Sequence, residues 1–203
     1  MKIYEKYLLP RLTHRICSLS PATKQRQKIV PFASGRVLEI GIGSGLNLPF
    51  YDRDKVKHIW GLDPSQEMLA QANGSISHLP FSVEIISASA EAIPLDQNTV
   101  DSIVVTYTLC SIPDIMAALQ DMRRVLKPGG KLYFSEHGTA PDEKIRRWQN
   151  RLNPVWSKLS GGCQLNRNIP VILRESEFTF EQLDAMYIPG WKFASYNYWG
   201  VAK

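Results

Sequence analysis

Residues 39–45 read Glu-Ile-Gly-Ile-Gly-Ser-Gly, directly after the apolar run Val37-Leu38. Glycine at this density costs backbone entropy, so the chain must pass where a side chain would not fit. The order Gly41-x-Gly43-x-Gly45 is one residue tighter than the nicotinamide pattern, and it lacks the lysine of a Walker loop, which disfavours a phosphate cradle. Free amides at a helix start still attract a carboxylate. Glu39 precedes the first glycine, either facing a ligand or holding a loop amide. Asp63, in Gly-Leu-Asp-Pro-Ser, follows roughly 20 residues later, where a carboxylate can accept both hydroxyls of a ribose. Capping a helix before Pro64 is its alternative role. Ser89-Ala90-Glu91 closes a small-sided stretch that can lie flat on an aromatic base, with Ser89 and the Ala90 amide at its edge. Met68, about one helical turn past Asp63, would pack on that base or serve as plain core. These residues together outline a site for a nucleoside.

The elements that must position them alternate. Residues 36–41 form a short β-branched run closed by glycine, and Ser44–Tyr51 begins like a helix. Lys57–Asp63 reads as a second strand, and Pro64–Asn73 as a helix with proline near its first turn. Phe81–Ser89 is a third strand. Val100–Cys110 is a fourth, with the unbroken apolar centre of a strand buried on both faces. A helix follows, with apolar residues at 115, 116, 119, 122, 125 and 126, ended by Pro128-Gly129-Gly130. Lys131–Gly138 is a fifth strand. This alternation predicts a parallel α/β sheet with its ligand crevice at the strand ends. Ahead of it, residues 1–33 read as one or two helices broken at Ser20-Pro21. Behind it come a Trp-rich helix over 141–160, a Gly/Asn-rich loop over 160–170, and two strands about a turn at Pro189-Gly190. Two successive strands without a helix between them predict an antiparallel hairpin at the sheet edge.

The chain has 203 residues, 44% apolar and 21% charged, which fits one globular domain without repeats or linkers. No apolar run reaches the ~20 residues that span a bilayer, and charges interrupt the N-terminal stretch, making a poor signal peptide. Cys17, Cys110 and Cys163 are odd in number, and no pair has metal-ligand or redox-motif spacing. No metal is therefore expected, and a reducing cytoplasm is the default compartment. The net charge is +5, and the densest basic stretch, residues 143–151, spreads its charges around an expected helix. A solvated face is the leading reading of that segment, with a membrane-surface or anionic-substrate contact second. It carries no nucleic-acid signature.

The stretches VLEIGIGSG, GLDPSQEML, SASAEAIPL, VDSIVVTYTLCSI and RRVLKPGGKLYFSEH resemble, in that order, the class I S-adenosylmethionine-dependent methyltransferases. They look most like the ubiquinone/menaquinone-biosynthesis-type branch. The resemblance implies a Rossmann-like, seven-stranded, mostly parallel sheet with helices on both faces and an antiparallel C-terminal strand. It also implies S-adenosylmethionine as cofactor, leaving as S-adenosylhomocysteine. Gly41, Gly43 and Gly45 would lie under the methionyl part, Asp63 at the ribose, and Ser89, Ala90 and Glu91 at the adenine. The end of strand four, Thr106 to Cys110, would run along the methionyl tail. Ser89 stands where many relatives carry aspartate, which leaves the adenine amino group to a weaker or backbone contact.

In the tail, TLCSI, FSEHGTA, RRWQNRLNPVW and GGCQLNR are similar to the alkyl thiol methyltransferases. The animal members of that group carry an extra hydrophobic anchor that this chain is not expected to have. A small lipophilic acceptor and S-methylation are implied, with a quinone ring or phospholipid amine open as acceptors. A non-catalytic cofactor-binding regulator is the reading from another class, and no obligate protein partner is evident. The activated sulfonium methyl leaves the protein mainly in-line placement to perform. A thiol needs little further activation, whereas a phenol or amine would call for a general base.

His137 is the candidate to orient or deprotonate the acceptor, with Glu136 fixing its ring; a pocket-shaping role is the alternative. Related enzymes use an N-terminal aromatic helix as a lid, which casts Tyr7 as a residue near the sulfonium. The expected organisation is a lid over 1–33, a cofactor core over 36–137, an acceptor-side helix and loop over 138–180, and closing strands over 181–203. Trp148, Trp156 and the 161–167 loop fall on the acceptor side. Cys163 reads as a structural thiol, and Arg167 as a partner for a headgroup or a surface carboxylate.

Overall fold

Seven strands form one sheet in the order β3-β2-β1-β4-β5-β7-β6 in this computed structural model, which describes residues 4–76 and 79–203. The strands are β1 (Gly35–Ile40), β2 (Val56–Leu62), β3 (Ser82–Ile86), β4 (Val100–Thr106), β5 (Leu126–His137), β6 (Phe180–Tyr187) and β7 (Tyr196–Ala202). β1 to β5 run parallel, and β7 inserts antiparallel between β5 and β6. Strand side chains alternate between faces, so neighbours in sequence enter different cores. Leu38, Ile40, Ile103, Val105, Leu132 and Phe134 pack in one cluster, with Leu119, Met122 and Leu173. Val37, Ile59, Val104 and Tyr133 pack in the other, with Ile29, Leu48 and Leu69.

These core residues assign the helices to their faces. α4 (Ile115–Val125) and α6 (Ile169–Glu175) cover the first face; α2 (Ser20–Ile29) and α3 (Gln66–Ile76) cover the second. α1 (Leu9–Cys17) follows a π-helical turn over Tyr4–Leu8, and α5 (Glu143–Leu159) carries Trp148 and Trp156. The predicted parallel core and terminal hairpin are both present.

Three local expectations change. Residues after β1 form no helix beyond one 3₁₀ turn, Leu48–Phe50. Gly43 and Gly45 both hold left-handed backbone angles that a right-handed helix cannot accommodate. The break between the N-terminal helices falls at Ser18-Leu19, and Pro21 sits in the first turn of α2, where its missing N–H has no partner to lose. α6 is a helix the sequence patterning did not disclose; at seven residues, with Pro170 inside, it is too short for a helical period. Residues 1–3, the start of the expected lid, lie outside the described residues.

Candidate active site

A cavity of about 450 Å³ opens where β1, β2 and β4 end. Its floor is the loop after β1. Gly41 has φ +69°, and a side chain there would collide with Thr108. Gly43 has φ +54°, and a Cβ would sit 3.0 Å from Met68 Cε, filling the space beside Asp63. The loop is tied to β2 through Asp63, whose Oδ2 accepts the Gly43 amide at 3.0 Å and whose Oδ1 accepts the Ser65 amide at 2.8 Å. Both expected roles of Asp63 are thus compatible: it caps the chain entering α3, and each oxygen keeps a lone pair for a ligand. Burial raises its pKa, while the two amides oppose that.

Glu39 also borders the cavity, at 1% exposure. It holds the loop through a side-chain amide, not a backbone one. Its Oε1 accepts from Asn47 Nδ2 at 3.0 Å and its Oε2 from the Tyr51 hydroxyl at 2.7 Å. Burial pushes its pKa up to about 7, against the lowering effect of those two bonds and of the Arg26 charge. Asn47 Nδ2 also reaches Thr106 Oγ1 at 3.0 Å, linking the loop to the end of β4. Ser89, Ala90 and Glu91 form the opposite wall, where the Ser89 hydroxyl donates to the Glu91 carboxylate.

Gly45 is turned away from the cavity, its open side against Leu48 and Ala72, so the three glycines do not act alike. Cys110, 2% exposed, lies behind the cavity wall rather than on it.

α1 closes the cavity with Leu9, Pro10, Thr13, His14 and Cys17. His14 Nδ1 lies 2.6 Å from Ser44 Oγ, and the Tyr4 hydroxyl donates to Leu159 O at 2.5 Å. Tyr7 is 56% exposed and is not on the cavity lining, which corrects its expected place at the sulfonium. Residues Tyr4–Leu8 form a π-helical turn, and Tyr4 is bound to Leu159 rather than set on the cavity lining.

The predicted pair at the end of β5 separates, because adjacent strand residues point to opposite faces. Glu136 Oε1 accepts the amides of Thr108 and Leu109, at 2.7 and 3.0 Å. It therefore fixes the turn after β4 and does not hold the His137 ring. Burial raises its pKa to about 7. His137 Nε2 lies 3.2 Å from Cys163 Sγ, which also takes the Trp156 Nε1 hydrogen at 3.4 Å. Neither His137 nor Cys163 lines the cavity, so His137 does not offer its nitrogen to an acceptor there. The Cys163 thiol is pushed below its ordinary pKa by a bond from Cys110 and by His137 and Trp156, against burial. Cys110 is pushed well up by the same contact.

Arg167 clamps the turn after β4, donating from Nη2 to Ile112 O at 2.6 Å and from Nη1 to Leu109 O. It meets neither a carboxylate nor an open headgroup site. Trp148 stays 43% exposed outside the cavity, beside Phe193.

Sequence reading missed Arg26. This residue is 3% exposed on the cavity wall, donates from Nη1 to Cys17 O at 2.7 Å, and lies 5.2 Å from the Tyr107 ring centroid. It forms no ion pair with any described residue. Nothing in the polar run of α2 distinguishes it from its neighbours, the exposed Lys24 and the half-buried Lys28.

The fold and this cavity define a nucleoside-binding α/β enzyme of the methyltransferase type. Residues 38–134 match the family model described as a methyltransferase domain. The chain is 31% identical to thiol S-methyltransferase TMT1B of Rattus norvegicus, over 90% of this chain and 78% of that protein. It is 36% identical to the ubiquinone/menaquinone biosynthesis C-methyltransferase UbiE of Shewanella frigidimarina, over 46% and 41%. Among solved structures, a SAM-dependent methyltransferase from Aquifex aeolicus superposes with a TM-score of 0.64 at 18% identity, covering 95% of this chain and 97% of that one. The chain belongs to the class I S-adenosylmethionine-dependent methyltransferases, and S-adenosylmethionine is its methyl donor. No described helix is long and apolar enough to cross a membrane.

Proposed function

We propose that the protein transfers a methyl group from S-adenosylmethionine to the sulfur of a small lipophilic thiol. The cavity suits the donor: the space left by Gly43 beside Met68 and Asp63 is a cradle that any side chain would fill. Asp63 would take the ribose, Ser89 to Glu91 the adenine, and Gly41, Gly43 and Thr106 the methionyl part. Bound there, the donor supplies an already activated methyl carbon. What remains for the chain is to hold the acceptor in line and exclude water, which Leu9, Pro10, Ile112 and Pro113 at the cavity wall favour.

The observation that carries the thiol reading is Arg26. A buried guanidinium on the cavity wall, whose charge acts on Glu39 but which forms no ion pair with a described residue, stabilises an anionic acceptor, and a thiol becomes an anion near neutral pH more readily than a phenol or amine. The similarity to a thiol S-methyltransferase over most of the chain supports the same choice. The three free cysteines suit the reducing cytoplasm in which we place the protein. Incubation with methyl-labelled donor and a matched panel of alkyl thiols, quinols, phenols and amines tests the assignment. Label should enter the thiols. Label concentrated in quinols or amines would reassign the acceptor, and donor binding without transfer to any member would favour the regulatory reading.

A further inference from the structure

We propose that Cys110, His137 and Cys163 form a binding site for a thiophilic d¹⁰ cation, Zn²⁺ being the ion that this ligand set fits. One sulfur, one imidazole nitrogen and a second sulfur lie within 4.8 Å of one another. Around tetrahedral zinc, with bonds of about 2.3 Å to sulfur and about 2.0 Å to nitrogen, such atoms stand about 3.5–3.8 Å apart. Closing the cluster onto an ion therefore needs only small side-chain shifts. Two thiolates and an imidazole favour Zn²⁺ over the hard cations, which seek oxygen.

The three ligands come from separate segments: the turn after β4, the last residue of β5, and the loop between α5 and α6. That separation is why cysteine spacing along the chain gave no metal signal. The segments are nevertheless held together before any ion arrives. The Gln164 amide donates to Cys110 O at 2.8 Å, the Thr139 amide donates to Arg167 O at 2.9 Å, and Glu136 and Arg167 brace the Cys110 turn from two sides. Outer contacts also orient the sulfurs, with the Trp156 indole N–H on Cys163 and Ser111 Oγ 3.4 Å from Cys110. Cys110 and His137 are buried and Cys163 is part-buried.

An ion here would join the segments that carry Thr108, Ser111 and Gly161 into the cavity wall.

Cobalt titration of the full-length protein, metal-stripped, reduced and kept anaerobic, tests it. One Co²⁺ per chain should bind, with thiolate-to-cobalt charge-transfer absorption and tetrahedral d–d bands, and Zn²⁺ should displace it. Cys163→Ser and Cys110→Ser should each lose part of the charge-transfer band, whereas Cys17→Ser, outside the cluster, should retain it. Absence of stoichiometric binding to reduced wild type overturns the proposal; so does a charge-transfer band that survives in the Cys110→Ser/Cys163→Ser double variant. Should a variant fail to fold, the wild-type titration still decides. A Cys110–Cys163 disulfide in the isolated protein, followed by no cobalt uptake after reduction, counts against the site.

Discussion

The Gly43 amide donates to Asp63 Oδ2 at 3.0 Å, joining the glycine loop after β1 to the end of β2. One carboxylate thereby shapes the loop and still offers lone pairs to a sugar. Asp63→Ala should remove both contributions. Hydrogen bonds to a charged group are worth about 1.5–3 kcal/mol each, so S-adenosylhomocysteine affinity should fall at least about 10-fold. Calorimetric titration measures this, and an unchanged affinity would remove Asp63 from the donor site.

Glu39 sets a pH dependence. Its folded-state pKa of about 7 stands above the ordinary 4.5, so the folded protein keeps a proton that the unfolded chain has released. Stability should fall as pH rises from about 4.5 to about 7, then level off. Across that window wild type should lose on the order of 1–3 kcal/mol relative to Glu39→Gln, which cannot ionise. Denaturant melts of the two proteins at several pH values read the difference directly. A constant gap between them would mean that Glu39 titrates normally in the folded state.

Arg26 should act on the acceptor rather than on the donor. Arg26→Gln is expected to shift the rising limb of the thiol kcat/KM profile upward by about one pH unit, as one pKa unit corresponds to about 1.4 kcal/mol of lost anion stabilisation. Donor affinity should change little. A variant whose pH profile overlays the wild type would leave the buried guanidinium a purely structural role.

Closure by α1 predicts that removing residues 1–17 weakens donor binding by at least about 10-fold, or ~1.4 kcal/mol. The helix supplies Leu9 to Cys17 along one wall and bonds the loop through His14 and Ser44. Equal affinity in the truncated chain would show that the cavity is complete without it.

The sheet was legible because its signals are local. The apolar run of β4 and the glycine-closed end of β1 need only neighbouring residues to be read, and the C-terminal hairpin follows from two strands without an intervening helix. Gly41, Gly43 and Asp63 were legible for a similar reason: loop chemistry and strand ends announce them. The missed features depend on partners far along the chain. His137 and Cys163 are 26 residues apart and meet only when the loop after α5 folds back over β5. Arg26 is a cavity residue only because α2 turns it toward Tyr107. Glu136 was chosen for its place beside His137, yet strand alternation sends it to the amides of Thr108 and Leu109. Tyr7 was placed by resemblance to enzymes with an aromatic lid, whereas here it is exposed and off the cavity lining.

A crystal structure of the protein with S-adenosylhomocysteine tests the account most directly. The ribose hydroxyls should lie within hydrogen-bonding distance of the Asp63 carboxylate, the adenine beside Ala90, and the sulfur over the Gly41–Gly43 backbone. A nucleoside bound elsewhere, or a sugar beyond the reach of Asp63, would contradict it.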